Sequence, residues 1–165
     1  MSDAATKALD GWLEALEARH LADLSLPEVR RGLEALSSLY VERRRVVPLA
    51  QALRGAGKRA AYALFYGPLH FLAVGRIVRA IGAAAPAPDR ILDLGCGTGA
   101  AGAAWAVEAG ARSEIRGVDR SEWAVGEANR AYRDLGLRGR ARRGDATGAR
   151  FPGRGGAAVA AYLAD

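Results

Sequence analysis

Apolar residues recur at helical spacing through the first half of the chain and in short blocks through the second. Leu9, Trp12, Leu13 and Leu16 form one stripe of a first helix. Val29, Leu33, Leu36 and Tyr40 follow at i, i+4, i+7 and i+11, and Pro27 suits the first turn of that second helix. The spacing predicts a third helix from about Pro48 and a fourth after Gly67-Pro68, with Phe71, Val74, Val78 and Ile81 on one face. Residues 83–88, Ala-Ala-Ala-Pro-Ala-Pro, read as a linker, so the chain divides into a helical region over 1–85 and a second region over 86–165. No heptad is sustained and no internal repeat is visible.

Beyond the linker the period changes. Residues 91–94 read as a short buried strand, followed by a glycine-rich turn and a helix over about 98–109. A second strand over 115–118 ends at Asp119, and Ser121 caps a helix that runs to Leu135 and stops at Gly136. A third strand over 137–143 ends at Gly144-Asp145, and residues 157–163 read as a fourth. Strands alternating with helices over short links predict an α/β fold with a parallel sheet and right-handed crossovers. A doubly wound sheet usually has more strands than four. The alternation is therefore expected to be cut short, as in a fragment or a chain completed by another. An exposed fourth strand predicts self-association through the sheet edge.

Composition excludes several classes. Half of the 165 residues are hydrophobic and a quarter charged, too apolar a mixture for disorder. A single cysteine excludes a disulfide scaffold and fits a reducing compartment or simply a protein without disulfides. The N-terminus lacks the basic leader and continuous apolar core of a signal peptide. The most apolar window, 60–75, is interrupted by Pro68 and His70 and falls short of a membrane span. The expected location is cytoplasmic, away from membranes. The net charge of +6 invites a nucleic-acid partner. It comes from 22 arginines against two lysines, which a GC-rich coding sequence also produces, and it is not confined to a tail.

The sharpest chemical signal is Asp93-Leu94-Gly95-Cys96-Gly97-Thr98-Gly99, placed between a buried strand and a helix. Glycines there permit a tight turn and let main chain approach a ligand, while the following helix presents free N–H groups. Gly95, Gly97 and Ala100 formally satisfy a dinucleotide fingerprint. A carboxylate at Asp93 would repel a pyrophosphate but suit a ligand carrying an ammonium and a sulfonium. Asp119, at the end of the second strand, suits ribose hydroxyls of either ligand. Asp145 ends the third strand; 93 to 119 and 119 to 145 are both 26 residues, one strand–helix unit each. Three acids at successive strand ends are expected to face one crevice; a turn-forming aspartate beside Gly144 is the plainer reading of Asp145. Arg120 and Ala146 adjoin these acids, and with Cys96 they complete the candidate cofactor-binding set of Asp93, Gly95, Cys96, Gly97, Gly99, Asp119, Arg120, Asp145 and Ala146. Cys96 has no visible partner base and reads as a packing residue of the turn. His20 and His70 stand alone, and no metal constellation or nucleophilic triad is visible. Trp123 fits either an adenine contact or the core. Basic residues recur at Arg43-Arg44-Arg45, at Arg54 with Lys58-Arg59, and at Arg138, Arg140 and Arg142. The last three alternate on one strand face and suit RNA contact or a charged sheet edge equally, whereas the Arg43 triplet on a helix reads first as a solvated face and second as a phosphate site.

The Asp-x-Gly-x-Gly-x-Gly run resembles the first motif of class I S-adenosylmethionine-dependent methyltransferases. The resemblance implies S-adenosylmethionine as cofactor, a Rossmann-like sheet, and an adenine amino group donating to Asp145. Further stretches are similar to the methyltransferase-like proteins of the mitochondrial small ribosomal subunit and their bacterial relatives: Leu36-Ser37-Ser38-Leu39-Tyr40, residues 61–71, Gly117-Val118-Asp119-Arg120-Ser121 and Ala160-Ala161-Tyr162-Leu163. That resemblance implies action on or near small-subunit ribosomal RNA. Its members also carry a cysteine cluster for iron–sulfur; with Cys96 alone, no such cluster carries over. Two rivals stand beside the methyltransferase reading: a non-catalytic ribosome-assembly factor that retains the fold, and a nicotinamide-dependent oxidoreductase, against which Asp93 and Asp145 weigh.

Overall fold

The computed structural model describes residues 3–42 and 52–161. The first half is helical: α1 (Asp3–His20), α2 (Leu26–Glu42), α3 (Ala56–Ala61) and α4 (Gly67–Ala80). At the start of α2, the Ser25 N–H and hydroxyl both donate to Glu28 Oε2, at 2.8 and 2.6 Å, the first of them the glutamate half of a capping box. The second half alternates β1 (Arg90–Leu94), α5 (Ala100–Glu108), β2 (Glu114–Asp119), α6 (Glu122–Asp134), β3 (Gly139–Arg143) and β4 (Gly156–Val159).

The four strands form one parallel sheet in the order β3-β2-β1-β4, with Asp93 level with Gly117 and Gly117 level with Ala141. The chain steps outward from β1 to β3 and then returns to the other side of β1. The C-terminal end of β1 is therefore the switch point of the sheet, where open α/β folds bind their ligands.

One hydrophobic cluster joins both halves. Leu9, Trp12 and Leu16 of α1 and Phe71, Val74 and Val78 of α4 pack with Ile91, Ile115, Tyr132 and the alanines of α5. The small side chains of α5 let α4 lie close over it. A second cluster sets Leu36 of α2 against Ala52, Leu53, Ala61 and Tyr62. There α2 and α3 cross at two glycines: a Cβ on Gly32 would strike the carbonyl of Gly57. The residues 83–88 are tied down rather than free. Trp105 Nε1 donates to the Ala83 carbonyl at 2.9 Å, Ser113 Oγ to that of Pro88 at 2.6 Å, and the Ala85–Pro86 bond is cis.

The expected helix start at Pro48 lies outside the described residues. The structure departs from the sequence pattern in four places. Gly67-Pro68 does not open a new helix: α3 runs into α4 through a π turn, Tyr62–Tyr66, closed by the Gly67 N–H on the Tyr62 carbonyl. This wider turn comes just before Pro68, which has no N–H to continue the α ladder. Ile81 lies past the end of α4 and is 70% exposed. The helix after β1 starts at Ala100 rather than at 98, because Gly95, Gly97 and Gly99 all have positive φ. The fourth strand spans Gly156–Val159; of the expected 157–163, residues 162 and 163 lie outside the described set. By length and composition the helical run Ala56–Ala80 qualifies to cross a membrane, yet its Phe71, Val74 and Val78 face is spent on the core.

An ion cluster fastens the end of α1 to α6. Arg19 donates to Glu127 at 3.2 Å and to Asp134 at 2.6 Å, Arg130 donates to Glu127 at 2.8 Å, and His20 Nε2 lies 3.2 Å from the same carboxylate. Burial pushes the Glu127 carboxyl up, but His20, Arg19 and Arg130 outweigh it and hold the group below its ordinary value. His20, solitary in the sequence, is thus a structural partner of an acid 107 residues away.

Candidate cofactor site

The turn after β1 is built from main chain. Cys96 N–H donates to the Val118 carbonyl at 3.0 Å, which pins the turn to β2, and Gly99 N–H donates to the Cys96 carbonyl at 2.7 Å. Gly95, Gly97 and Gly99 have φ of 64°, 52° and 80°, a region that costs other residues strain. Gly99 meets a second constraint, since a Cβ there would lie 2.8 Å from Tyr132 Cε1. Tyr132, fully buried beneath the turn, was not evident from the sequence. Cys96 is buried and its thiol is pushed up, mainly by burial and then by the charges of Asp93 and Asp119, so it stays protonated and packs.

The three acids are not alike. Asp119, the last residue of β2, is 9% exposed; its Oδ2 accepts the Gly97 N–H at 2.9 Å and its Oδ1 accepts the Ser121 N–H at 2.7 Å. The glycine turn and Asp119 are therefore one hydrogen-bonded unit. The main chain continues the join outward, because Gly144 N–H donates to the Asp119 carbonyl at 2.9 Å. Asp145 stands next, exposed, at the end of β3. Thr147 and Arg120 both donate to it and hold its carboxyl down to about 2. Ala146 opens the 3₁₀ turn that Asp145 caps.

Asp93 is placed differently from the other two acids. It is 1% exposed and turned beneath the sheet's end, where its Oδ2 accepts the Gly102 N–H of α5 at 2.8 Å. Among the described residues its Oδ1 has no partner, nor does the buried Tyr132 hydroxyl. Burial lifts Asp93 to about 7; the Gly102 bond offsets this in part and the charge of Asp119 adds to it. One of its oxygens thus satisfies a helix N–H, and the other is left without a partner among the described residues.

Beside the acids lies a cleft of about 230 Å³ lined by Leu53, Arg59, Arg120, Ser121, Glu122, Trp123 and Arg143. Trp123 stacks at an edge on Tyr62, 6.4 Å between centroids, and Arg59 stands over its ring at 5.8 Å while donating to the Leu53 carbonyl. Neither Leu53 nor Arg143 was a candidate in the sequence; residues 53 and 143 meet only through the folded chain. Among the described residues no group of His, Cys, Asp or Glu is arranged to hold a metal.

No curated protein matches the chain. Solved structures similar to it include the S-adenosylmethionine-dependent methyltransferase SibL in its apo form, 16% identical, over 92% of this chain and 46% of that one at a TM-score of 0.49. The plantazolicin methyltransferase BpumL in complex with SAH is 16% identical over 76% of this chain and 46% of its own, at 0.44. YjhP from E. coli is 24% identical over 72% of this chain and 38% of its own, at 0.40. The chain thus spans less than half the length of each of these structures. Over residues 91–164, from the first buried strand through the glycine turn and the acids that follow it, the chain matches the methyltransferase domain family.

Proposed function

We propose that residues 86–165 bind S-adenosylmethionine at the ends of β1 and β2, that residues 1–85 form a helical support for that site, and that the protein methylates RNA of the small ribosomal subunit in the cytoplasm. The observation that carries the cofactor reading is the state of Asp119. Each of its oxygens accepts one main-chain N–H, and a carboxylate oxygen takes two donors. One acceptor position per oxygen is left, the complement of a vicinal ribose diol. The positive-φ turn of Gly95, Gly97 and Gly99 allows close approach of a ligand beside it, and the methyltransferase domain match covers both. When bound, the cofactor supplies an electrophilic methyl group on sulfonium. The chain's contribution is to hold donor and acceptor in line. Support for an RNA acceptor comes from the charge of +6 and from the exposed Arg140 and Arg142 of β3, together with the resemblance to small-subunit proteins.

Calorimetric titration with S-adenosylhomocysteine, against NADH, tests the cofactor. Selective binding of the first, weakened at least about tenfold by Asp119→Ala through loss of charge-assisted hydrogen bonds, is the expected result. Binding of NADH instead would establish the oxidoreductase reading, and binding of neither would overturn the proposal. Transfer of a labelled methyl group to small-subunit RNA tests the acceptor; cofactor binding without transfer favours the assembly factor.

A further inference from the structure

Asp145 differs from Asp119 in having no acceptor position left. Its Oδ1 accepts the Thr147 N–H at 2.9 Å and the Thr147 hydroxyl at 2.7 Å. Its Oδ2 accepts Arg120 Nε at 3.1 Å and Arg120 Nη2 at 2.5 Å. Two donors on each oxygen fill the carboxylate. The Thr147 bonds belong to the turn that Asp145 caps and are local. The Arg120 bonds span adjacent strand ends and are exposed, with 77% of the arginine and 47% of the aspartate side chain open to solvent. Such a pair is held weakly and exchanges readily.

From the same position Arg120 also lines the neighbouring cleft with Arg59 and Arg143, where Glu122 is the one acid of the lining. Arg143 makes no ion pair among the described residues. While Arg120 holds Asp145 its charge is neutralised; once released, the cleft carries three guanidinium groups against one carboxylate.

We infer that Arg120 is a displaceable guard: it occupies the Asp145 oxygen that the family resemblance assigns to an adenine amino group, and cofactor binding frees it toward the cleft, where it joins Arg59 and Arg143 in holding a phosphate of the RNA acceptor strand. This rests on the cofactor and RNA-acceptor readings above and adds an order to them, with cofactor first and acceptor second. The two ligands are then coupled reciprocally, each tightening the other.

Titration of wild type and Arg120→Ala with S-adenosylhomocysteine, and of both with a single-stranded RNA oligonucleotide in the presence and absence of S-adenosylhomocysteine, tests it. Removing the guard is expected to tighten S-adenosylhomocysteine by about two- to fivefold, the range an exposed ion pair spans. Saturating S-adenosylhomocysteine is expected to tighten RNA by a similar factor in wild type and not in the variant. Equal melting temperatures establish that both chains are folded. Unchanged or weaker S-adenosylhomocysteine binding by Arg120→Ala, or RNA affinity of wild type indifferent to S-adenosylhomocysteine, overturns the guard while leaving the cofactor reading intact. A wild-type chain that binds no S-adenosylhomocysteine overturns both.

Discussion

The side chain of Asn129 occupies both outward main-chain groups of Ala141: its Oδ1 accepts the Ala141 N–H at 2.9 Å and its Nδ2 donates to the Ala141 carbonyl at 3.1 Å. Ala141 lies mid-way along β3, the strand at one edge of the sheet, and these groups are the ones another strand would take. A helix residue thus caps a sheet edge, and Arg140 and Arg142 flank it with charge.

Asn129→Ala uncovers that edge. The variant is expected to lose about 1–2 kcal/mol of stability with its hydrogen bonds and to associate at concentrations where wild type does not. Thermal melting and sedimentation velocity read the two effects. A variant as monodisperse as wild type would assign association, where it occurs, to β4, which is paired on the β1 side alone among the described residues.

Asp93 sets a pH dependence of known sign. Its carboxyl lies at about 7 in the fold against 3.8 ordinarily, so between about pH 4 and pH 7 the folded chain holds a proton that the unfolded chain has released. Stability therefore falls as pH rises through that window and levels off above it, by up to about 4 kcal/mol from this group. Asp93→Asn keeps an acceptor for the Gly102 N–H without the titration. It is expected to gain about 1–3 kcal/mol over wild type at pH 8 and nothing at pH 4. Melting temperatures of both chains across that range check it; parallel profiles would show that Asp93 is ionised throughout.

Trp12 tests whether the helices and the sheet stand or fall together. It is 1% exposed, 5.5 Å from the Phe71 ring, and its indole N–H has no partner among the described residues. Trp12→Ala is expected to cost about 3–5 kcal/mol and Trp12→Phe well under half of that, since the phenyl ring refills the space and no hydrogen bond is lost. Urea unfolding followed by far-ultraviolet dichroism should shift as a single transition. A sheet transition that stays in place while the helical signal moves would separate the two regions.

Much of the second half was legible because strand, turn and helix each carry a local signal. Blocks such as Ile91-Leu92, glycines that adopt positive φ without strain, and Ser121 as a cap on the Ala124 N–H all act within a few residues. What escaped depended on partners far along the chain. The bond from the Gly102 N–H to Asp93 has no sequence signal, because that N–H becomes an unsatisfied donor only once α5 is folded. Tyr132 shows no turn-facing signal, yet it fills the space beneath Gly99 that a side chain there would need. Arg19 and His20 give no hint of Glu127, and the residues of the arginine cleft come from three separate segments.

The π turn at Tyr62–Tyr66 changes what the helical run can do. A π turn inserts one extra residue into an α-helix and so advances its azimuth by about 100° without breaking the rod. The N-terminal part therefore meets α2 while the C-terminal part, differently phased, meets α5 and the Trp12 cluster. Deleting one residue there would straighten the ladder and leave the two ends out of register with their neighbours: either Phe71, Val74 and Val78 would swing away from the core, or Gly57 would leave its crossing with Gly32. The turn works as a phase adapter that lets one continuous helix serve two partners whose grooves point in different directions.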